Sequence, residues 1–218
     1  LIQYSLIQRE NDKMSNKGQK VESPLKSFVP PPGFVNADIE KAIKIREVPT
    51  YSYINLRGSP KDEKFVRSLQ DTLKIKLPLN PNTTSSNEQF LIYWLGPDEW
   101  MIFLEHDLLE LTMNALEIAL KEIICSITDV SGSYVVIEII GEKAREVLSK
   151  GCTLDLHPSQ FAFNQCAQTL IGKASVILGY VHGGPTFNIV VRRSFAEYLM
   201  LWLHDSSLEY NLSLNLKH

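Results

Sequence analysis

Three cysteines in 218 residues, Cys125, Cys152 and Cys166, are too few and too scattered for a disulfide framework. Reduced thiols in a cytoplasmic protein are the expectation. Glycine is sparse, at 11 residues. None of it builds a Gly-x-Gly-x-x-Gly turn, a phosphate-binding loop ending in Gly-Lys-Ser/Thr, or a Gly-x-Ser-x-Gly elbow. A dinucleotide or flavin held by this chain alone would therefore need an unusual site. The zinc spacings Cys-x-x-Cys and His-Glu-x-x-His are also missing. No apolar run approaches the roughly 20 residues that span a bilayer, and Leu1 to Lys20 turns polar too soon for a secretory leader. Neither sign of charge dominates, since 22 Lys and Arg face 25 Asp and Glu for a net −3. That balance gives no electrostatic reason to expect nucleic acid.

What is present is an ordinary globular composition, 44% hydrophobic and 22% charged. It is enough to bury a core as one large domain or two small fused ones. The chain opens on Leu1, and Met14-Ser-Asn reads as a natural start, with residues 1–13 as upstream sequence. Residues 1–47 read as an extended arm. They are polar and carry Pro30-Pro31-Pro32-Gly33, which favours polyproline II and removes backbone donors.

From Tyr51 the pattern sharpens into an α+β domain. Tyr51 to Leu56 reads as a strand, and Ser59 as the N-cap of a helix from Pro60 to Lys74 that buries Phe65, Leu69 and Leu73. Phe90 to Leu95 and Trp100 to Leu104 read as a hairpin turned by Gly96-Pro97-Asp98-Glu99. Asp107 and Glu110 suggest a capping box for a helix carrying Leu109, Met113, Leu116 and Leu120. Trp94, Trp100 and Trp202 fit apolar faces, with Trp94 placed to border an interface.

The second half repeats the plan. Ser133 to Ile140 is a β-branched strand, followed by a short helix with Ala144, Val147 and Leu148 on one face. Strands follow at 167–171, 175–181 and 187–191, and Ser194 with Glu197 suggests the cap of a last helix with the stripe Phe195, Leu199, Trp202 and Leu203. Each half thus runs strand, helix, a short leucine motif (Leu77-Pro78-Leu79, Leu154-Asp155-Leu156), strand, strand, helix. The expected organisation is an arm (1–47), a first α+β half (48–124), a second (125–210) and a tail (211–218).

Three groupings could carry chemistry. Cys152, Asp155 and His157 lie close in sequence and could converge on a metal, though one short segment rarely supplies a full ligand set. Cys152 could be a nucleophile if Lys150 or His157 stood within hydrogen-bond reach as its base. Arg192 and Arg193 could clamp a carboxylate or phosphate. Structural roles outweigh each: a fixed turn for Asp155 and His157, packing for the cysteines, a surface or interface pair for the arginines.

Five blocks in order resemble one family. They are Tyr93-Trp94-Leu95-Gly96-Pro97-Asp98-Glu99-Trp100, Asp129-Val130-Ser131, Lys150-Gly151-Cys152-Thr153-Leu154-Asp155-Leu156-His157-Pro158, Cys166-Ala167-Gln168-Thr169-Leu170, and Val191-Arg192-Arg193-Ser194-Phe195-Ala196-Glu197-Tyr198. Together, over roughly Ser23 to Tyr210, they resemble the gamma subunit of heterotetrameric sarcosine oxidase. The resemblance implies a fold like the folate-binding domains of the glycine-cleavage T-protein class. It also implies a subunit that is not catalytic by itself. Its partners would be the larger alpha and beta subunits and a small delta subunit, which would hold FAD, FMN, NAD and tetrahydrofolate, with no cofactor on this chain. Trp94, Asp98, Asp129, Lys150, Cys152, Asp155, His157, Arg192 and Arg193 then become candidate interface or motif residues. Lys150-Gly151-Cys152 also resembles the start of a motif in folate-dependent repair proteins, but Thr153-Leu154-Asp155 departs from its continuation. A stand-alone folate-binding or one-carbon-transfer protein is the alternative, and it needs a deep pocket and a carboxylate for the pterin.

Overall fold

The computed structural model describes residues 22–29, 31, 43–48, 51–210 and 212–215. Met14, residues 1–13 and most of the proline run lie outside them. In chain order the described elements are β1 (Ile43–Val48), β2 (Tyr51–Gly58), α1 (Glu63–Leu73), β3 (Thr84–Ser86), β4 (Phe90–Gly96), β5 (Glu99–Glu105), α2 (Leu109–Ala119), β6 (Cys125–Asp129), β7 (Tyr134–Ile140), α3 (Ala144–Ser149), β8 (Gln165–Ile171), β9 (Ala174–His182), β10 (Thr186–Arg192), α4 (Ala196–Ser207) and β11 (Leu212–Asn215).

Two sheets result, ordered β3-β4-β5-β2-β6 and β11-β1-β7-β10-β9-β8. Read from β3 and from β8, their first five strands correspond one to one, and β11 is the extra strand of the second sheet. Each half runs strand, strand, helix, three strands, helix, and each lends its first strand to the other half's sheet. β1 pairs antiparallel with β7, and β6 pairs antiparallel with β2. The repeat expected from the sequence is there, but the two halves are laced together instead of lying side by side.

This exchange changes two expected boundaries. Residues 43–48, expected in an extended arm, form a paired strand. Ile43 and Ile45 point into the core between exposed Lys44 and Arg46, a period-2 pattern too short to stand out. Residues 125–129 belong to the first sheet, though the chain boundary at 125 places them in the second half. Within residues 211–218, β11 pairs parallel with β1.

Alternation along the strands builds the layers. In β2, β4 and β5, Ile54, Leu56, Phe90, Ile92, Trp100, Ile102 and Leu104 face outward under α1 and α2. Their neighbours Tyr53, Leu91, Tyr93, Met101 and Phe103 face inward, against Val136, Cys166, Ile177, Val181 and Val190 of the second sheet. The second sheet's outer face carries Val135, Ile137, Ile139, Leu178, Phe187, Ile189 and Val191 under α3 and α4. The domain is therefore helix, sheet, sheet, helix. Each large side chain so buried contributes about 1.5–3 kcal/mol of transfer free energy.

Helix starts depart from the sequence expectation. Asp62, not Ser59, caps α1, its carboxylate accepting from the Lys64 and Phe65 amides. Ser59 shapes the preceding turn, where its carbonyl accepts from the Asp62 amide at 3.1 Å. α2 and α4 have no side-chain cap; a single 3-10 turn feeds each of them, at His106–Leu108 and Arg193–Phe195. Phe195 consequently falls outside the buried stripe of α4 and is 41% exposed, while Leu199 and Leu203 are buried.

The leucine motifs fasten the helix-to-sheet connections. The Trp100 indole donates to the Pro78 carbonyl at 2.7 Å, and the Arg145 guanidinium donates to the Leu156 carbonyl. Both satisfy a buried or half-buried backbone acceptor that no strand partner reaches.

Candidate functional site

The Lys150-Gly151-Cys152 block lies where α3 meets α4. Gly151 sits against the Trp202 indole so closely that a Cβ there would stand 2.3 Å from ring carbon Cζ2. Lys150 reaches across to donate to the Ser206 carbonyl and to pair with Glu209, its ammonium 5.0 Å from the Tyr210 ring centre. A cation suits that place, since helix-terminal carbonyls without partners gather at the end of α4. The ion pair holds the exposed Glu209 carboxyl below its ordinary range, chiefly through the hydrogen bond from Lys150. Tyr210 in turn donates to Glu146 at 3.2 Å. Lys150 is a fastener.

Cys152 bridges to Ile171 at the end of β8, with its sulfur 3.6 Å from the Thr169 hydroxyl. The two bases proposed for it are engaged elsewhere. Lys150 points to α4, and His157 Nδ1 bonds the Ser159 hydroxyl at 2.8 Å. Asp155 accepts from the His157 amide at 2.9 Å, so these residues fix a turn. Cys152, Asp155 and His157 do not converge, and among the described residues no cluster of three or more His, Cys, Asp or Glu could hold a metal.

Arg192 and Arg193 part company. The Arg192 guanidinium lies 5.2 Å from the Tyr134 ring centre. Arg193 donates to the Glu22 carbonyl, tying down the segment whose Leu25 and Phe28 enter the core. Ser23 of that segment donates to Glu47 at 2.6 Å. An anion clamp from this pair is absent from the geometry.

Asp98 and Glu99 shape the β4–β5 turn. The Gly58 amide donates to the Asp98 carbonyl at 3.1 Å, and Glu99 accepts from Asn55 and Arg57, each at 2.8 Å. Trp94 packs half-buried beneath the first helical layer, and its carbonyl accepts from the Cys166 thiol. Asp129 accepts from the Ser131 amide and hydroxyl, and Ser131 Oγ accepts from the Tyr53 amide at 3.0 Å. Asp129-Val130-Ser131 is thus the knot where the chain leaves one sheet for the other.

Sequence reasoning missed the groups between the sheets. Glu138, only 2% exposed, pairs with Arg46. A lone acid inside Val-Val-Ile-Glu-Ile-Ile was the signal, because an unpaired buried carboxylate is too costly to keep. On the second sheet's outer face Arg145 of α3 was missed as well; its guanidinium lies 4.8 and 4.9 Å from the Tyr180 and Phe187 ring centres, which stack on each other. Tyr93 lies fully buried between the sheets with Phe103 4.6 Å away, centre to centre.

Tyr93, Met101 and Phe103 of the first sheet pack with Ile177 and Val190 of the second to fill the space between the sheets. At its rim a cleft of about 220 Å³ is lined by Tyr51, Phe90, Phe103 and Val181 with Glu88 and Glu105. That falls short of the roughly 300–1,000 Å³ of ligand pockets. A groove of about 370 Å³ runs along α1 past Val66 and Leu79. It lies on the outer helical layer and meets the leucine motif at Leu79, with none of the candidate interface or motif residues in its lining.

Comparison with known proteins agrees with this architecture. The sarcosine oxidase subunit gamma of Corynebacterium sp. (strain U-96) is 27% identical over 92% of this chain and 97% of its own length. That of Corynebacterium sp. (strain P-1) is 29% identical over 77% and 81%. Among solved structures, heterotetrameric sarcosine oxidase from Corynebacterium sp. U-96, in complex with pyrrole 2-carboxylate, contains a chain similar to this one. The TM-score is 0.78 and the identity 26%, covering 87% of this chain and 96% of that one. The glycine cleavage system aminomethyltransferase T of Bartonella henselae shares the fold at TM-score 0.59 and 15% identity, covering 81% of this chain and 48% of that one. The sequence profile of the sarcosine oxidase, gamma subunit family matches residues 57–209, and the chain belongs to that family.

Proposed function

We propose that this chain is the gamma subunit of a heterotetrameric sarcosine oxidase and that it stabilises the flavin-bearing subunits without performing the chemistry itself. The observation that carries this reading is the nearly end-to-end likeness to one chain of the solved heterotetramer. In this reading the host enzyme oxidatively demethylates sarcosine to glycine, yielding hydrogen peroxide and a one-carbon unit passed to tetrahydrofolate or released as formaldehyde. FAD, FMN, NAD and tetrahydrofolate belong to the alpha and beta partners, a small delta subunit completes the assembly, and the complex is cytoplasmic.

Two features of this chain support a structural role. Tyr93, Phe103, Met101 and Ile177 fill the space between the sheets, so a cofactor there would have to displace core packing. The blocks shared with the family fasten elements to one another: Lys150 to α4, Asp129 to Ser131, Glu99 to β2. The cytoplasmic setting agrees with three free cysteines, and no helix among the described residues is long and apolar enough to cross a membrane.

The test is co-expression of the tagged chain with the larger subunits from the same source, affinity purification and a visible spectrum. A yellow complex that oxidises sarcosine is expected. A colourless, solitary chain that gives heat on titration with tetrahydrofolate would reject the subunit reading for the folate-binding one.

A further inference from the structure

The two helices over the first sheet differ on their solvent sides. α1 presents Glu63, Lys64, Arg67, Gln70 and Asp71 to solvent, the polar face expected of a surface helix. α2 does not. Its inner side buries Thr112 and Leu116, yet Leu111 is 69% exposed and Ile118 79% exposed. With Ala115 they stand at i, i+4 and i+7, one stripe about 10 Å long. Just beyond the helix Ile123 turns into the core while Ile124 is left 97% exposed. A scattered exposed aliphatic needs no explanation, but two on one helical stripe with a third just past the same helix do.

The rim has a sign. Between Glu105 and Cys125 the chain carries Glu105, Asp107, Glu110, Glu117 and Glu122 against Lys121 alone, setting aside His106. Two copies of this face would bring like charges together, which disfavours self-association. A partner with an apolar centre and Lys or Arg at its edge fits.

We propose that the outward face of α2, with Leu111 and Ile118 on its stripe and Glu110 and Glu117 beside them, together with Glu122 and Ile124 just past the helix, docks onto a basic-rimmed apolar patch of a larger subunit of the flavoenzyme. This rests on the subunit reading above. Burial of the three aliphatics supplies the affinity, and the acidic rim supplies orientation and salt sensitivity.

The test uses the co-expressed complex, with a photo-crosslinking benzoylphenylalanine in place of Ile118 and, separately, of Leu201 on α4. Mass spectrometry identifies what each residue joins. Position 118 is expected to crosslink to a larger subunit, and position 201 is expected to give at least tenfold less of that product. In parallel, Leu111→Glu with Ile118→Glu is expected to lower co-purification at least tenfold while the circular dichroism of the isolated chain is unchanged. Glu110→Lys with Glu117→Lys is expected to weaken assembly most at low salt. A crosslink from position 118 to a second copy or to residues 1–21 of the same chain would overturn the proposal. So would full assembly of the Leu111→Glu, Ile118→Glu variant, and in both cases the subunit reading would stand. Failure of the unmodified chain to assemble would overturn both.

Discussion

Gly179 of β9 faces the Tyr93 hydroxyl of β4 across the two sheets, and a Cβ on Gly179 would stand 2.0 Å from that oxygen. The missing side chain on one sheet is what allows the other to bury a tyrosine whole. Gly179→Ala is expected to force the sheets apart or Tyr93 off its rotamer, at a cost of about 2 kcal/mol or more. Thermal melting should fall by about 4–8 °C. Tyr93→Phe in the same background should restore little, because the ring carbon Cζ is itself only 2.5 Å from the new Cβ.

A second close approach, Gly151 on Trp202, predicts coupling between the end of α3 and α4. Gly151→Ala should destabilise by about 1–3 kcal/mol, and Trp202→Leu alone by a similar amount through lost packing. In the double variant the clash is gone, so the two losses should fall short of adding by about 1 kcal/mol or more. A thermal or urea double-mutant cycle measures this. Strict additivity would mean the contact carries no energy.

Cys166 is predicted to be inert. Burial between the sheets pushes its thiol up to about 12, from an ordinary 9.0. Since the thiolate is the reactive form, a reagent at pH 8 should meet roughly a thousandth of the usual fraction. Mass mapping after brief alkylation should find Cys125 and Cys152 modified first and Cys166 only on unfolding. The raised value favours the folded state below pH 9, and that contribution is lost as pH rises from there through about 12.

Lys150 gives a pH signature of the opposite kind. Its hydrogen bond and charge lower the Glu209 carboxyl from the ordinary 4.5. A lowered carboxylate stabilises the fold above its unfolded value and ceases to do so as pH falls through its folded value. The melting difference between the unmodified chain and Lys150→Met should therefore be full at pH 7 and shrink below about pH 5. It should also shrink in high salt, because the pair is exposed. The Ser206 carbonyl contact does not titrate, so a residual difference should persist in acid.

The elements most legible in the sequence were those with a complete period. Phe65, Leu69 and Leu73 announced α1, and the alternation through Trp100, Ile102 and Leu104 announced β5. Short edge strands were not legible. β1 has three inward positions, one of them Glu47, a buried carboxylate that accepts from Ser23. β6, Cys125–Asp129, has only two half-buried positions, Cys125 and Ile127, among exposed Ser126, Thr128 and Asp129. Yet these two strands are the ones exchanged between the halves, so the repeat was visible and its interlacing was not.

The motif blocks were legible as blocks but not as contacts. Nothing in Lys150-Gly151-Cys152 reveals that the lysine serves α4, because its partners Ser206 and Glu209 are more than fifty positions away. Arg192 and Arg193 look like a pair in the chain, but Arg192 ends β10 beside Tyr134 while Arg193 opens the 3-10 turn and reaches Glu22. Caps were misplaced for a local reason. Ser59, Asp107 and Ser194 each sit in the turn before the helix, not at its first residue.

The most direct measurement is the lifetime of sarcosine oxidase activity in the assembled enzyme with and without this chain. The four-subunit complex and one prepared by omitting it would be incubated at 40–50 °C, with activity and bound flavin followed over time. A stabilising subunit predicts equal initial turnover per bound flavin, followed by severalfold faster loss of activity and flavin when the chain is missing. Equal lifetimes, or a preparation with intact flavin and no turnover until the chain is added, would contradict it.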